Sequence, residues 1–405
     1  MATVLDIASH AHDPPHIADP ADAPPVKIGF LYNHDALHQV SHTAPVVAAL
    51  ARDARADVTV LTSSEAQAVR VRELIGTDAA ARVRFVSLGI GAVARVLDTG
   101  LRWIAPFRRI AVLRENLAEF AKLDALVVPE TTSLMLRDRF GLVDLKYIWI
   151  PHGAGDRSVG FRSVMKGFDL VLLSGSKVRD RMLAMGLITP DNHAIVGYPK
   201  FETVDLSRRP TLFDNNRPTI LYNPHFDPLL SSWYPWGEAV VDAILSRGDV
   251  NLVVAPHVML FQRRIHASVE HRRLHWRRDP PARWQGREGL IVDPGSTRSI
   301  DMTYTLGADI YVGDASSQIY EWIARPRPAI FLNPGRAAWA DDPNFAHWHL
   351  GPVIDDLSRL NAAIDAAIVD PQRYDLLQRD AFARTFDRTD RPAADRAAAA
   401  ILSIA

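Results

Sequence analysis

From Val26 onward, short and wholly apolar runs alternate with stretches of helical period. KIGFLYN (27–33), DVTVLT (57–62), VRFVSL (83–88), DALVVP (124–129), KYIWIP (146–151), FDLVLLSG (168–175) and HAIVGYP (193–199) read as strands. Ala44–Ala54, 64–75 and 108–122 read as helices between them. Strands that are apolar on both faces and separated by helices imply a parallel sheet covered on both sides. The pattern then restarts with RPTILYNPH (217–225), VNLVVAPH (250–257), GLIVDPG (289–295), ADIYVGD (308–314) and PAIFLNP (328–334). Residues 200–216 lack periodicity and read as a linker. The expectation is an α/β protein of two doubly wound domains, 26–199 and 217–385, facing across a cleft. An Ala-rich helix closes the chain within 386–405. Residues 1–25, rich in Pro, Asp, His and Ala, read as a disordered tail in which His10, His12 and His16 are solvated.

Composition narrows the function. The 405 residues hold 46 Lys+Arg against 47 Asp+Glu, a net charge of −1, which disfavours nucleic acid as a partner. With no cysteine there are no disulfides, thiolate metal sites or Cys nucleophiles. The amino terminus has no basic n-region followed by an apolar one, and no apolar run reaches the roughly 18 residues of a spanning helix. A cytoplasmic protein is expected.

Ligands of open α/β sheets bind beyond the carboxyl ends of the strands, and this chain is rich in polar residues there. His152, followed by Gly153 and Gly155, ends one strand. It can take a proton from a hydroxyl, or merely hydrogen-bond a carbonyl, and spacing alone leaves both open. Gly313, Asp314, Ser316, Ser317 and Gln318 follow a late strand, where a helix starting near Ser316 can be capped or can hold a phosphate. Asn223 with His225, and His257, end two further strands through Pro-His steps. His34, His38 and His42 are four apart, but His34 follows a strand directly, so substrate contact is expected there rather than metal. The string LGIGAVA (88–94) follows the third strand rather than the first and has no ribose-binding acid in place, which argues against a dehydrogenase. No Walker A sequence, GxSxG elbow or Asp-x-Asp pair occurs. Two basic-aromatic stretches, RWIAPFRR (102–109) and QRRIHASVEHRRLHWRR (262–278), read as solvated faces or as docking sites for an anionic membrane or acceptor.

Together, the His152-Gly153 step, VGYPKFE (196–202), His257, GDASSQIYEW (313–322) and ARPRPAIFLNP (324–334) resemble the CDP-glycerol glycerophosphotransferase family, the teichoic-acid polymerase and primase type, over roughly residues 120–355. The chain departs from that family after His152-Gly153, where Ala-Gly-Asp replaces Thr-Pro, and after residue 222, where Asn-Pro-His-Phe-Asp stands. The resemblance implies a GT-B fold, a cytidine-nucleotide donor in the second domain, catalytic roles for His152 and His257, and donor-phosphate contacts at Ser316 and Ser317. The expected reaction moves a glycerol-phosphate-like group from a CDP-activated donor to a hydroxyl of a glycan or lipid-linked acceptor. Asn223, His225 and Gly313–Gln318 would lie on the donor side, and His34, His38, His42 and Gly153 on the acceptor side. No cofactor is expected, and Mg²⁺ would help without being required. The alternatives are a glycosyltransferase with a UDP- or CMP-sugar donor, a nucleotide-sugar 2-epimerase, and a non-catalytic nucleotide- or sugar-binding module.

Overall fold

The computed structural model describes residues 24–34, 37–92, 94–95, 107–268 and 273–405. Asp35, Arg102 and the histidines of the amino-terminal tail fall outside them. Every apolar run read from the sequence contains a strand, most of them shorter than the run, while the first two begin one residue earlier, at Val26 and Ala56. The first sheet holds β1 (Val26–Tyr32), β2 (Ala56–Thr62), β3 (Arg84–Ser87), β4 (Ala125–Val128), β5 (Lys146–Trp149), β6 (Leu170–Leu173) and β7 (His193–Ile195), in the order β3-β2-β1-β4-β5-β6-β7. The second half contributes β8 (Thr219–Asn223), β9 (Asn251–Val254), β10 (Ile265–Ser268), β11 (Arg273–Trp276), β12 (Leu290–Val292), β13 (Ile310–Gly313), β14 (Ala329–Leu332) and β15 (Val353–Ile354). Its six-stranded sheet runs β12-β9-β8-β13-β14-β15, and β10 pairs only with β11. Both large sheets are parallel throughout.

Each large sheet has one switch point, where the chain order reverses: between β1 and β4 in the first, and between β8 and β13 in the second. Loops on either side of such a point diverge and leave a crevice. The central strands are buried on both faces, as Phe30 and Leu31 of β1 and Ile220 and Leu221 of β8 show, each pair dividing between the clusters on opposite sides of its sheet. Each such side chain contributes about 1.5–3 kcal/mol on burial.

Local chemistry modifies several expected helices. The stretch expected over 108–122 breaks into Phe107–Glu115 and Leu117–Phe120, because the Asn116 amide donates to the carbonyls of Val112 and Gly89. The second helix is opened by a capping box between Ser64 and Gln67 and broken near its expected end by Gly76, whose left-handed backbone (φ 77°) kinks it before a last turn to Ala80. The final helix, Ala393–Leu402, lays Ala394, Ala397, Ala398 and Ile401 against Ala44–Ala51 of the first domain. The chain returns there past Gly175, where a Cβ would stand 2.5 Å from the Thr385 carbonyl oxygen, and Asp387 N–H donates to the Ser174 carbonyl. Among the described residues, no helix is long and apolar enough to cross a membrane.

Candidate functional site

A cavity of about 460 Å³ lies between the domains, at the mouths of both switch points. His34, His38, His42, His152, Gly153, His225, His257, Ser316, Ser317 and Gln318 all line it. A second cavity of about 650 Å³, lined by Arg209, Pro218 and Arg327 among others, lies at the amino ends of β8 and β13 and holds none of the candidate residues.

Three of the residues expected on the donor side, Asp314, Asn223 and Gly313, are not among the lining of the first cavity. Asp314 is fully buried, with its carboxylate accepting from the backbone N–H groups of His225, Ser232 and Ala315 and from the Ser232 hydroxyl. Burial raises it to about 6 although those donors favour its charged form. Asn223 donates to the Ala255 carbonyl at 2.6 Å and accepts from the Tyr311 hydroxyl at 3.2 Å. Gly313 leaves room for the Tyr311 ring. All three lie beneath the cavity floor and hold the strand ends together. At the late strand the helix is Gln318–Trp322; Ser317 at its start makes no side-chain capping bond, while Ser316 Oγ accepts from the Gln318 N–H at 3.4 Å.

The first-domain wall is built from histidines. Gln67 of the capping box donates to the His34 carbonyl at 2.7 Å, fixing the end of β1 to the helix that follows β2. Leu37–His42 is a 3₁₀ turn, so His38 and His42 are rotated by roughly 120° instead of sharing an α-helical face. The His38 ring stands 5.9 Å from that of His152 and 6.0 Å from that of His257, while His42 lies against His152 and Tyr198. No group of three metal-ligating side chains forms among the described residues.

Burial and mutual repulsion hold these histidines neutral. Burial, with Arg109, His152 and Arg263 adding to it, lowers His34 to about 3. Burial, with His152 and Arg157 adding to it, lowers His257 to about 4. His38, His42 and His225 are pushed well below the ordinary imidazole range, chiefly by burial. Burial lowers His152 too, opposed by a hydrogen bond to the Pro129 carbonyl.

Hydrogen bonds fix the tautomers. His152 Nδ1 lies 2.8 Å from the Pro129 carbonyl oxygen, which can only accept, so the proton sits on Nδ1 and Nε2 keeps its lone pair. His257 is the reverse: its Nδ1 accepts from the Met259 N–H at 3.3 Å, so Nε2 carries the proton. His225 is offered N–H groups at both ring nitrogens, by Asp227 and by Arg157, and a neutral imidazole can accept only one. Five further polar atoms on cavity residues are buried without a partner among the described residues: His38 Nδ1, His42 Nδ1, Gln39 Oε1, Trp149 Nε1 and Ser299 Oγ. Leaving such an atom unmatched costs about 1–3 kcal/mol, which a hydroxyl-rich or anionic ligand would offset.

The cavity also holds groups the sequence did not single out as its lining. Of the 102–109 stretch, residues 102–106 lie outside the described residues; Arg109 lines the cavity and its neighbour Arg108 donates to the Ser63 carbonyl. The helical register of Phe107–Glu115 decides this, and composition does not carry it. Arg157 and Arg162 add positive charge. Asp156 ties the domains together: it accepts from Lys177 at 2.7 Å on its own side, and from the Tyr320 hydroxyl at 2.6 Å and the His347 backbone at 3.1 Å on the other. Burial disfavours its charge, but Lys177 and His347 outweigh that and hold it well below the usual carboxylate range. Lys200 and Glu321 make a second buried pair across the hinge, at 2.6 Å. The glycines after His152 serve this same contact. A Cβ on Gly155 would stand 2.8 Å from Ser317 Cβ, so the loop approaches the other domain closely.

No protein-family model matches the chain. No curated protein matches it. Solved structures do. The wall teichoic acid polymerase TagF with CDPG shares 13% identity over 95% of this chain and 90% of its own, with a TM-score of 0.59. S. aureus MnaA with UDP shares 13% over 93% and 95%, with a TM-score of 0.59. The UDP-GlcNAc 2-epimerase of Methanocaldococcus jannaschii shares 10% over 95% and 100%, with a TM-score of 0.55. Likeness at this identity shows the fold: two parallel-sheet α/β domains in the GT-B arrangement.

Proposed function

We propose that the chain is a transferase that moves a glycerol-phosphate-like group from a CDP-activated donor to a hydroxyl of a glycan or lipid-linked acceptor, on the cytoplasmic side of the membrane. The observation that carries this reading is the pair of opposite tautomers across the cavity, with a basic nitrogen on His152 and a donating one on His257. His152 Nε2 takes the acceptor proton, and the freed oxygen attacks the donor's β-phosphate in line as CMP leaves. His257 Nε2–H, Arg157, Ser316 and Ser317 stabilise the charge that develops on the phosphate, and stabilisation of this kind commonly lowers the barrier more than any other single effect. The neighbours solved with CDPG and UDP support an activated nucleotide as donor. Arg109 and Arg162 suit an anionic acceptor. With these guanidinium groups at hand, turnover does not require a divalent cation: activity is expected to persist in EDTA and to rise with Mg²⁺.

A second reading, a glycosyltransferase using a UDP- or CMP-sugar, is favoured by the five unmatched polar atoms, which suit a ring of hydroxyls. Thermal-shift titration against CDP-glycerol, CMP, CDP, UDP, UDP-sugars and CMP-sugars separates the two. Stabilisation by CDP-glycerol beyond CDP supports the first reading, and stabilisation by UDP- or CMP-sugars alone replaces it with the second. Donor binding with no transfer to any hydroxyl acceptor marks a binding module.

A further inference from the structure

The basic-aromatic stretch 262–278 folds into a feature that the cleft does not use. β10 and β11 form an antiparallel hairpin with Ile265 opposite Trp276, His266 opposite His275, and Ala267 opposite Leu274. Side chains alternate across a strand, so one face carries Ile265, Trp276 and Leu274 and the other carries the histidines. The histidine face is docked: His266 stands 6.4 Å from both Phe226 and Tyr234, and His275 stands 5.8 Å from Tyr234. His266 Nε2 lies within hydrogen-bond reach of the Leu260 and Arg263 carbonyls, and Ser268 donates to Asp227 at 3.2 Å. The opposite face is bare. Ile265 is 52% exposed, Leu274 73% and Trp276 64%. Arg263, Arg264 and Arg278 stand exposed around it, with Arg264 3.4 Å from Asp279.

We propose that this hairpin docks the protein on an anionic lipid bilayer. Its apolar side chains suit the acyl boundary, Trp276 suits the interface, and the flanking guanidinium groups suit lipid phosphates. The hairpin also stands at the rim of the cavity. Ser268 binds Asp227, which lies 3.7 Å from Arg157, and Arg157 and Phe226 line the cleft. Docking would hold the cleft mouth at the membrane, where a lipid-linked acceptor lies. The inference deepens the acceptor side of the proposed function, yet it is tested without nucleotide, so the two fail separately.

The test is co-sedimentation of the full chain with vesicles of phosphatidylcholine alone, or with one part in three of phosphatidylglycerol, at low salt and in about 0.5 M NaCl. Binding is expected only with the anionic lipid, weakened by salt. Leu274→Ser with Trp276→Ser, and separately Arg263→Gln with Arg264→Gln and Arg278→Gln, are each expected to lower the partition coefficient by more than about tenfold. Melting temperatures should be unchanged, because the replaced side chains are exposed. Should the first variant fail to fold, Trp276→Phe serves instead: it should retain binding and lose the part of the tryptophan quenching by brominated lipid that comes from Trp276. Absence of anionic-vesicle binding, binding indifferent to both sets of substitutions, or a dimer in solution dispersed by the Leu274 and Trp276 changes without vesicle binding would each overturn the proposal.

Discussion

The two walls of the cleft occupy the same place in two similar sheets, yet they are built from different chemistry. Beyond β1 and β4, the first domain presents neutral histidines with unmatched ring nitrogens and the Arg109 guanidinium. Beyond β8, β9 and β13, the second domain uses the Asp314 carboxylate internally, on Ser232, His225 and Ala315, and presents Ser316, Ser317 and the Nε2–H of His257. The first wall can accept or take up protons, and the second can donate hydrogen bonds. Doubly wound topology fixes where a site forms, and the few residues after each strand decide what that half can do. A transfer reaction needs both halves, a base on one side and a charge-stabilising set on the other.

The sharpest way to break this division is His152→Ala. If the first wall supplies the base, turnover should fall about 10²–10⁴-fold. Nucleotide affinity and melting temperature should stay near those of the parent protein. A structural His152 would instead lower the melting temperature, with activity lost only in proportion to folded protein. Near-normal turnover in a stable variant would remove the base from this wall.

The complementary change is Ser316→Ala with Ser317→Ala. Nucleotide affinity should fall by one or two charge-assisted hydrogen bonds, about 1.5–3 kcal/mol each, as read by calorimetric titration. The fold should survive with a small loss of stability: Ser317 makes no capping bond, and the one that Ser316 Oγ accepts from the Gln318 N–H at 3.4 Å is worth about 1 kcal/mol. Unchanged affinity in the folded double variant would move the phosphates away from the second wall.

How far each wall could be read from the sequence differs in the same way. The large sheets were legible because their strands are uninterrupted apolar runs. β15, of only two residues, carries no such signal, and in β10 and β11 the apolar positions alternate with His, Ser and Arg. The strand-end rule found His34, His152, His225, His257 and Ser316–Gln318, because the sheet fixes where a strand stops. It could not tell Asp314, Asn223 and Gly313 from cavity residues, since a neighbouring Tyr311 and Ser232 decide which way those positions are used. Arg109 depends on helical register. Asp156 depends on partners 164 and 191 residues away, Tyr320 and His347, which one sequence does not reveal.

The contact between the walls is tested by Gly155→Ala. The added Cβ meets Ser317 Cβ at 2.8 Å, so the loop or the opposing turn must shift. Overpacking of this kind costs about 1–3 kcal/mol, here drawn from the closed arrangement. The expected result is a larger radius of gyration in solution scattering and a raised KM with a smaller change in kcat. A radius and KM equal to those of the parent would show that the closed contact does not bear on substrate binding.

The smallest effect expected is a difference in the sign of pH dependence between the histidines that face the cleft and the carboxyl that the second domain keeps beneath it. The histidines have lowered pKa values when folded, about 3 for His34 on the first wall and about 4 for His257 on the second, against about 6.5 in the unfolded chain. Between those limits the unfolded state binds more protons, so stability rises with pH and is lost as pH falls from about 6.5 toward 4. Asp314 has the opposite sign. Its carboxyl is raised from 3.8 to about 6, so across that window the folded state binds more protons and acidification favours it. Histidines outnumber this one carboxyl, so melting temperature should fall from pH 7 to pH 4. Asp314→Asn removes the opposing contribution and should steepen that fall. His34→Asn should make it shallower. A bound nucleotide, by favouring charged imidazole, should also flatten the curve. If both variants changed the slope in the same direction, the histidines and Asp314 would not carry the opposed ionisation that their burial and hydrogen bonding imply.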